Sequence, residues 1–173
     1  MIVKVPAERD WIVSPHPVDS TEAAALLRDY YVEVSDRYYL LHQGRRSTVE
    51  EIETGLAEST SDDLAAPTGL FLLGRYGDEP AGCAGLRVRE ARTVELTRVF
   101  VRPAYRGTGG GARLLDAAER SARGLGAERI VLDTRLDLVE ARALYTRHGY
   151  AEISAYHDDR YAEIFYGKDL VAA

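Results

Sequence analysis

The sequence predicts one α/β domain of the α+β kind, in which about four helices flank a mixed, mostly antiparallel sheet of about seven strands. Three strand-like runs follow one another between residues 69 and 101 with only short turn signals between them, which is typical of antiparallel strands. A strand–helix–strand pattern then spans residues 93–134, and two strands joined through a helix run parallel. A length of 173 residues suits a single domain over 1–173.

The first part of the chain predicts a strand and two helices. Residues 11–17 form a short strand-like run closed by prolines, and residues 19–44 place apolar side chains at helical spacing. A second helix is predicted over 47–57. Ser47 is its N-cap and Glu50, three residues later, completes a capping box.

The rest of the chain predicts the sheet and two more helices. The turn signal GDEP joins the first two of the three consecutive strands into a hairpin. The glycine-rich segment after residue 101 opens the third helix. The predicted strands are 69–76, 81–89, 93–101 and 129–134 with two more around residues 157–160, and the fourth helix is 138–150.

Composition excludes several classes of function. The chain has 46% hydrophobic and 29% charged residues, as ordinary globular proteins do. Its net charge of −6 argues against nucleic acid as a partner. Neither a run of about 20 apolar residues nor a signal peptide is recognisable, so we expect no membrane span and a cytoplasmic location. Cys83 is the only cysteine, so no internal disulfide and no cysteine-rich metal site are expected.

A dense group of glycines precedes the third helix. The segment from Arg106 to Gly111 contains four glycines, although glycine is a poor helix former. A helix N-terminus offers unpaired N–H groups, and the absence of Cβ atoms lets a large anion approach them. The P-loop pattern is not met, because Ala112 and Arg113 stand where it needs lysine and a hydroxyl residue. A phosphate or diphosphate site is therefore predicted, with a flexible turn as the alternative.

The strand before this loop loses its alternation. Apolar side chains occupy Val94 and Leu96 and then Val99 and Val101, so the pattern slips by one residue. Such a slip is typical of a β-bulge, which leaves backbone groups unpaired. Unpaired backbone N–H and C=O groups on this strand could pair with the amides of an extended ligand, and the anion site that follows could bind a diphosphate on the same ligand. Coenzyme A has both.

These two segments resemble the GNAT superfamily of N-acetyltransferases. Arg106-x-x-Gly109-x-Gly111 matches its signature [R/Q]-x-x-G-x-[G/A], and the segment Glu140 to Ile153, EARALYTRHGYAEI, resembles its second typical helix. The resemblance covers residues 93–153. It implies acetyl-CoA as co-substrate, no metal, and a splay between the fourth and fifth strands.

The resemblance also implies the cofactor contacts. Two positions depart from the family pattern. Gly110 stands where the family usually has a branched apolar residue. Arg135 stands where an asparagine is frequent, and its side chain could reach a phosphate of the cofactor. The pantetheine arm is expected on the backbone of one strand, and the diphosphate on the amides of the following loop. The cofactor-binding candidates are Val99, Phe100, Val101, Arg106, Gly107, Thr108, Gly109, Gly110, Gly111 and Arg135.

Two side chains are the catalytic candidates. Tyr145 occupies the place of the family's catalytic tyrosine, and a phenol can protonate the leaving thiolate. Glu95 lies on the central strand and is the candidate base through water. The N–H of Val99 or Phe100 is the candidate oxyanion donor. The alternatives are that Tyr145 is only a core residue and that Glu95 is an exposed strand charge.

The expected acceptor is a primary amine of a small molecule, which attacks the thioester directly. A protein or peptide acceptor, or a catalytically silent acyl-CoA-binding module, remain as alternatives. Aromatic residues of the first helix and the last turn could form an amine cage, although half-buried core tyrosines are the commoner case. Many relatives dimerise through their C-terminal strands, and the residues themselves leave a monomer and a homodimer open.

Overall fold

The computed structural model describes residues 9–170 as seven strands and four α-helices, which confirms the predicted element order. Residues 1–8 and 171–173 lie outside the described residues. The predicted single domain includes both segments, and the expectation of no signal peptide concerns the first of them. The strands are β1 Trp11–Pro15, β2 Gly69–Tyr76, β3 Glu79–Val88, β4 Thr93–Val101, β5 Arg129–Thr134, β6 Ala151–Ile153 and β7 Ile164–Asp169. The α-helices are α1 Thr21–Gln43, α2 Val49–Glu58, α3 Gly110–Gly124 and α4 Val139–Arg147.

The strands form one sheet in the order β1-β2-β3-β4-β5-β7-β6. Only the β4–β5 pair is parallel, as the crossover through α3 predicted. The last strand, β7, lies between β5 and β6, so the chain returns into the sheet after β6.

Local sequence explains where the first two helices begin. Ser20 caps α1, accepting the N–H of Ala23 at 3.1 Å. The cap predicted for α2 is wrong by one residue, because Thr48 and Glu51 form the capping box. Ser47 is engaged elsewhere, since its hydroxyl pairs with Ser35 of α1 at 2.6 Å.

The sheet separates two apolar clusters. On one face, α1 packs against β2, β3 and β4 through Ala23, Leu26, Phe71, Leu73, Cys83 and Phe100. On the other face, α3 and α4 pack through Leu114, Leu115, Ala118, Ala122 and Tyr145. Among residues 9–170, none of the helices combines the length and apolarity that a membrane crossing requires.

Two irregularities open the centre of the sheet. The register of β3 and β4 shifts between Cys83 and Gly85, where β4 carries one extra residue, so the predicted bulge is confirmed. Arg98 lies in this bulge with φ 56°, a left-handed conformation that a non-glycine residue rarely adopts. The β4–β5 ladder pairs only three residues and ends at Glu95 and Val131, after which the strands diverge. The predicted splay is therefore present.

Candidate active site

A cleft of about 620 Å³ lies where β4 and β5 diverge. Its walls are the C-terminal half of β4, the glycine loop, the first turn of α3, the end of β5, α4 and one face of α1. Eight of the ten predicted cofactor-binding residues line it, as does Tyr145; Thr108, Arg135 and Glu95 do not. The bulge and the early end of the β4–β5 ladder together create this space.

The glycine loop presents a row of unpaired amides to the cleft. The N–H groups of residues 107–112 donate to no acceptor within residues 9–170, and α3 has no side-chain cap. The first N–H groups of a helix lack intrahelical partners and carry the positive end of its dipole. This amide row can therefore bind an anion through several hydrogen bonds at once.

The four glycines of the loop serve different purposes. Gly107 and Gly109 have φ of 78° and 87°, a region that disfavours side chains, and an added Cβ would meet nothing within 4 Å. Gly110 is required for packing instead, because a Cβ there would overlap the indole of Trp11. A Cβ on Gly111 would lie 3.0 Å from Leu144. Approach of a ligand thus explains only part of the glycine content.

The free edge of β4 continues from this loop. Arg102 N–H donates to Ala81 of β3 at 2.8 Å. Because backbone groups alternate along a strand, Phe100 also pairs toward β3, whereas Val99 and Val101 point toward the cleft. Of the two N–H groups predicted as oxyanion donors, only that of Val99 is therefore free.

Arg106 holds the loop to its neighbours. Its guanidinium donates to Glu33 of α1 at 2.7 and 2.8 Å and to the carbonyl of Val101 at 3.0 Å. The guanidinium predicted to contact a phosphate is thus already paired with a carboxylate. Its evident role is to fix the loop against β4 and α1.

Arg135 does not line the cleft. Its guanidinium forms a two-point pair with Asp137 at 2.9 and 3.0 Å and donates to the carbonyl of Val34 at 2.8 Å. A carboxylate only two residues away captures this side chain. The geometry gives no support to the predicted phosphate contact of Arg135.

Tyr145 lies in α4 and is 6% exposed. Its ring packs against Tyr150 and Tyr166 at centroid distances of 5.8 and 6.1 Å. Burial raises the pKa of the phenol above its ordinary value near 10, so the hydroxyl stays protonated in neutral and mildly alkaline solution. The side chain is both a core residue and part of the cleft wall.

Glu95 is buried at 5% exposure rather than being a surface charge. One carboxylate oxygen accepts from Arg87 at 2.8 Å, and the other accepts from Arg89 at 2.9 Å and from the hydroxyl of Tyr156 at 2.7 Å. This carboxylate is therefore neutralised by two guanidinium groups.

A second carboxylate, that of Asp133, does reach the cleft. Its Oδ2 accepts from Nε2 of His157 at 2.7 Å. Nδ1 of that histidine accepts the N–H of Asp159 at 3.1 Å, so the neutral ring carries its proton on Nε2. The second oxygen, Oδ1, accepts no hydrogen bond within residues 9–170 and leaves a free acceptor at the cleft.

Glu95, Asp133, Tyr156 and His157 form one group of side chains, called here the polar cluster. Asp133 was not among the predicted site residues. The sequence signal for Asp133 was a charged residue at the C-terminal end of a strand beside a parallel crossover, where α/β sheets commonly bind ligands.

The polar cluster could be considered as a metal site, because the donor atoms of Glu95, Asp133 and His157 lie within 4.8 Å of one another. The ion pairs from Arg87 and Arg89 already balance the charge of Glu95, which disfavours a metal ion held jointly by these three side chains.

The aromatic residues near the end of α1 do not form an empty amine cage. Three of their rings already face a guanidinium at 4.7 to 5.7 Å, in the pairs Tyr39–Arg45, Tyr161–Arg160 and Tyr38–Arg135. Each of these arginines covers one face of its ring, so that face is not available to a cationic amine.

Arg147, at the end of α4, was also missed. It lines the cleft and forms neither an ion pair nor a hydrogen bond with another residue of the described range 9–170. Its free guanidinium stands in contrast to those of Arg106 and Arg135.

Comparison with known proteins gives consistent matches. The family model described as Acetyltransferase (GNAT) family matches residues 24–150. An "IAA acetyltransferase" of Azospirillum brasilense is 34% identical over 90 residues, which span 51% of this chain and 59% of that relative. An "Aminoglycoside N(6')-acetyltransferase type 1" of Klebsiella aerogenes is 28% identical over 145 residues, which cover 80% of this chain and 89% of that relative.

The fold is also found among solved structures. The PaiA N-acetyltransferase of Thermoplasma acidophilum, solved in complex with coenzyme A, superposes with a TM-score of 0.67 at 17% sequence identity. The match covers 92% of this chain and 99% of that one. At this identity the likeness concerns the fold.

Proposed function

The chain belongs to the acetyltransferase (GNAT) family, and from this premise we propose that it transfers the acetyl group of acetyl-CoA to a primary amine of a small molecule by direct attack. One observation carries the proposal. The amide row, the free edge of β4 and Tyr145 follow one another along a single cleft. They match the diphosphate, the pantetheine amides and the thioester of one extended donor.

The donor is bound mainly by backbone groups. The amides of residues 107–112 hold the diphosphate, and the Val99 C=O and the Val101 N–H pair with the pantetheine amides. The carbonyl of Val101 is excluded because Arg106 already donates to it. Arg147 supplies a charge-assisted contact to a donor phosphate, since its guanidinium has no other partner within residues 9–170.

The acceptor enters from the side of the polar cluster. It binds as an ammonium to the free oxygen of Asp133, which His157 keeps in place. One ammonium proton passes through water to Glu95, the base expected from the sequence. The neutral nitrogen then attacks the thioester carbonyl carbon, and the Val99 N–H stabilises the developing oxyanion.

Collapse of the tetrahedral intermediate forms the amide and breaks the C–S bond. Tyr145 gives its phenolic proton to the leaving sulfur, and the proton that the acceptor nitrogen releases restores the phenol. Burial keeps Tyr145 protonated before the reaction, so the acid is in its donating form at neutral pH. Glu95 then returns its proton through water to the solvent, so the products are an N-acetylated amine, free coenzyme A and one proton.

A thiol-release assay with acetyl-CoA and a panel of amines tests the proposal. The panel contains an aminoglycoside, because one relative carries that substrate in its name, together with polyamines, amino acid amides and a lysine peptide. We expect turnover with a small polycationic amine and little with the peptide. Preference for the peptide would support a protein acceptor, and coenzyme A binding without turnover on any acceptor would support a silent binding module.

A further inference from the structure

The single tryptophan of the chain lies directly beneath the proposed diphosphate site. Trp11 begins β1, at the edge of the sheet, yet its side chain is only 1% exposed. Its indole lies against Gly74 of β2, Gly82 of β3 and Gly110 of α3, where added Cβ atoms would contact or overlap the ring. Three elements thus use glycine to admit one indole.

The indole is hydrogen-bonded to the loop. Nε1–H of Trp11 donates to Oγ1 of Thr108 at 2.9 Å, and the same hydroxyl donates to the carbonyl of Tyr105 at 2.5 Å. The only hydroxyl proton of Thr108 is therefore used inside the loop and cannot reach a phosphate. The chain Trp11–Thr108–Tyr105 ties the start of the amide row to β1.

A second contact fixes β1 to the start of α3. Arg113, in the first turn of that helix, donates to the carbonyl of Trp11 at 2.6 Å and to Asp10 at 3.2 Å. The tryptophan and its backbone thus connect the edge strand to the loop on one side and to the helix on the other.

We propose that Trp11 is a positioning residue, which holds Thr108 and the amide row in the conformation that binds the donor diphosphate. No side chain caps α3, so contacts from outside the helix must keep its free N–H groups convergent. A site that is organised before the ligand arrives binds more tightly, because less conformational freedom is lost on binding. Gly110, where the family resemblance led us to expect a branched residue, provides the space for this indole. The inference rests on the proposed donor site.

Calorimetric titration of coenzyme A into the full chain tests it with the variants Trp11→Phe, Thr108→Val and the double variant. Each single substitution should raise the Kd by about three- to tenfold, the effect of one hydrogen bond. The Kd of the double variant should not exceed that of the weaker-binding single variant, since the two single substitutions remove the same hydrogen bond. Tyr76→Phe is the matched control: its ring packs on Trp11 at 5.8 Å, and its Kd should stay within twofold of the wild type.

A purely structural role of Trp11 predicts a different pattern. It would lower the melting temperature and leave the Kd of the folded protein unchanged. Competition experiments with pantetheine, which lacks the diphosphate, provide the second readout, and Thr108→Val should not alter its affinity. The inference would be overturned if both single variants kept the wild-type Kd for coenzyme A, or if they lost affinity equally for coenzyme A and for pantetheine. Either result would leave the proposed function standing. Absence of coenzyme A binding by the wild type would overturn the proposed function as well.

Discussion

The two halves of the cleft are built from different chemical groups. The donor half, residues 99–112, offers mainly backbone N–H and C=O groups that lack partners within residues 9–170. The acceptor half reaches the cleft through Asp133, and behind it lies the rest of the polar cluster, whose side chains are already bonded in pairs and to Arg87 and Arg89. A backbone site depends on conformation, whereas a side-chain site depends on the identity of each residue. Substitutions in the two halves should therefore fail in different ways.

The largest expected effect is on the donor half, in Gly109→Val. Gly109 has φ 87° and begins α3, so a β-branched residue there forces the loop out of shape. A strain of about 1–3 kcal/mol corresponds to a roughly 5- to 150-fold higher Kd for coenzyme A, measured by calorimetry. Gly126→Val is the control, because it places the same strain (φ 83°) at the far end of α3. Equal losses of affinity in both variants would contradict a local role of the loop.

Tyr145→Phe tests the junction of the two halves. The substitution keeps the buried ring and removes the proton donor, so kcat should fall at least about tenfold while the Kd for coenzyme A stays constant. Steady-state kinetics and calorimetry measure the two quantities. Tyr150→Phe is the control, since that buried hydroxyl packs beside Tyr145 without a hydrogen-bond partner within residues 9–170. Unchanged turnover in Tyr145→Phe would remove this residue from the mechanism.

The two carboxylates of the acceptor half should differ from each other. Asp133→Asn removes the charge that faces the cleft, so KM for the amine should rise about tenfold with donor affinity unchanged. Glu95→Gln should instead lower kcat and leave the KM for the amine unchanged, because the base would be lost. If the acceptor KM responds to Glu95→Gln and not to Asp133→Asn, their assigned roles are reversed.

The smallest expected effect is that of Arg147→Ala on the donor half. Loss of one partly solvated phosphate contact should raise the Kd for coenzyme A about fivefold at low salt, and the difference should shrink as salt is added. Arg123→Ala removes the same charge from the exposed end of α3, outside the cleft lining, and should leave the Kd unchanged. A salt-independent loss, or equal losses in both variants, would contradict the assigned contact.

Backbone features of the site could be predicted from the sequence better than side-chain pairings. The loss of apolar alternation between Leu96 and Val99 predicted the bulge, and the run of glycines predicted the loop, because both are local sequence patterns. The partners of Arg106 and Glu95 could not be predicted in this way. Glu33 is 73 residues from Arg106, and Tyr156 is 61 residues from Glu95. Such pairs depend on tertiary packing, which leaves no periodic signal.

The most direct test of the account is the amide NMR spectrum of the ¹⁵N-labelled protein during titration with coenzyme A. Hydrogen bonding of the diphosphate to the amide row should shift the amide protons of Gly107, Gly109, Gly110 and Gly111 strongly downfield. The glycines of the far end of α3, Gly124 and Gly126, should not move. If coenzyme A leaves the loop glycines unshifted at millimolar concentration, the central claim is contradicted.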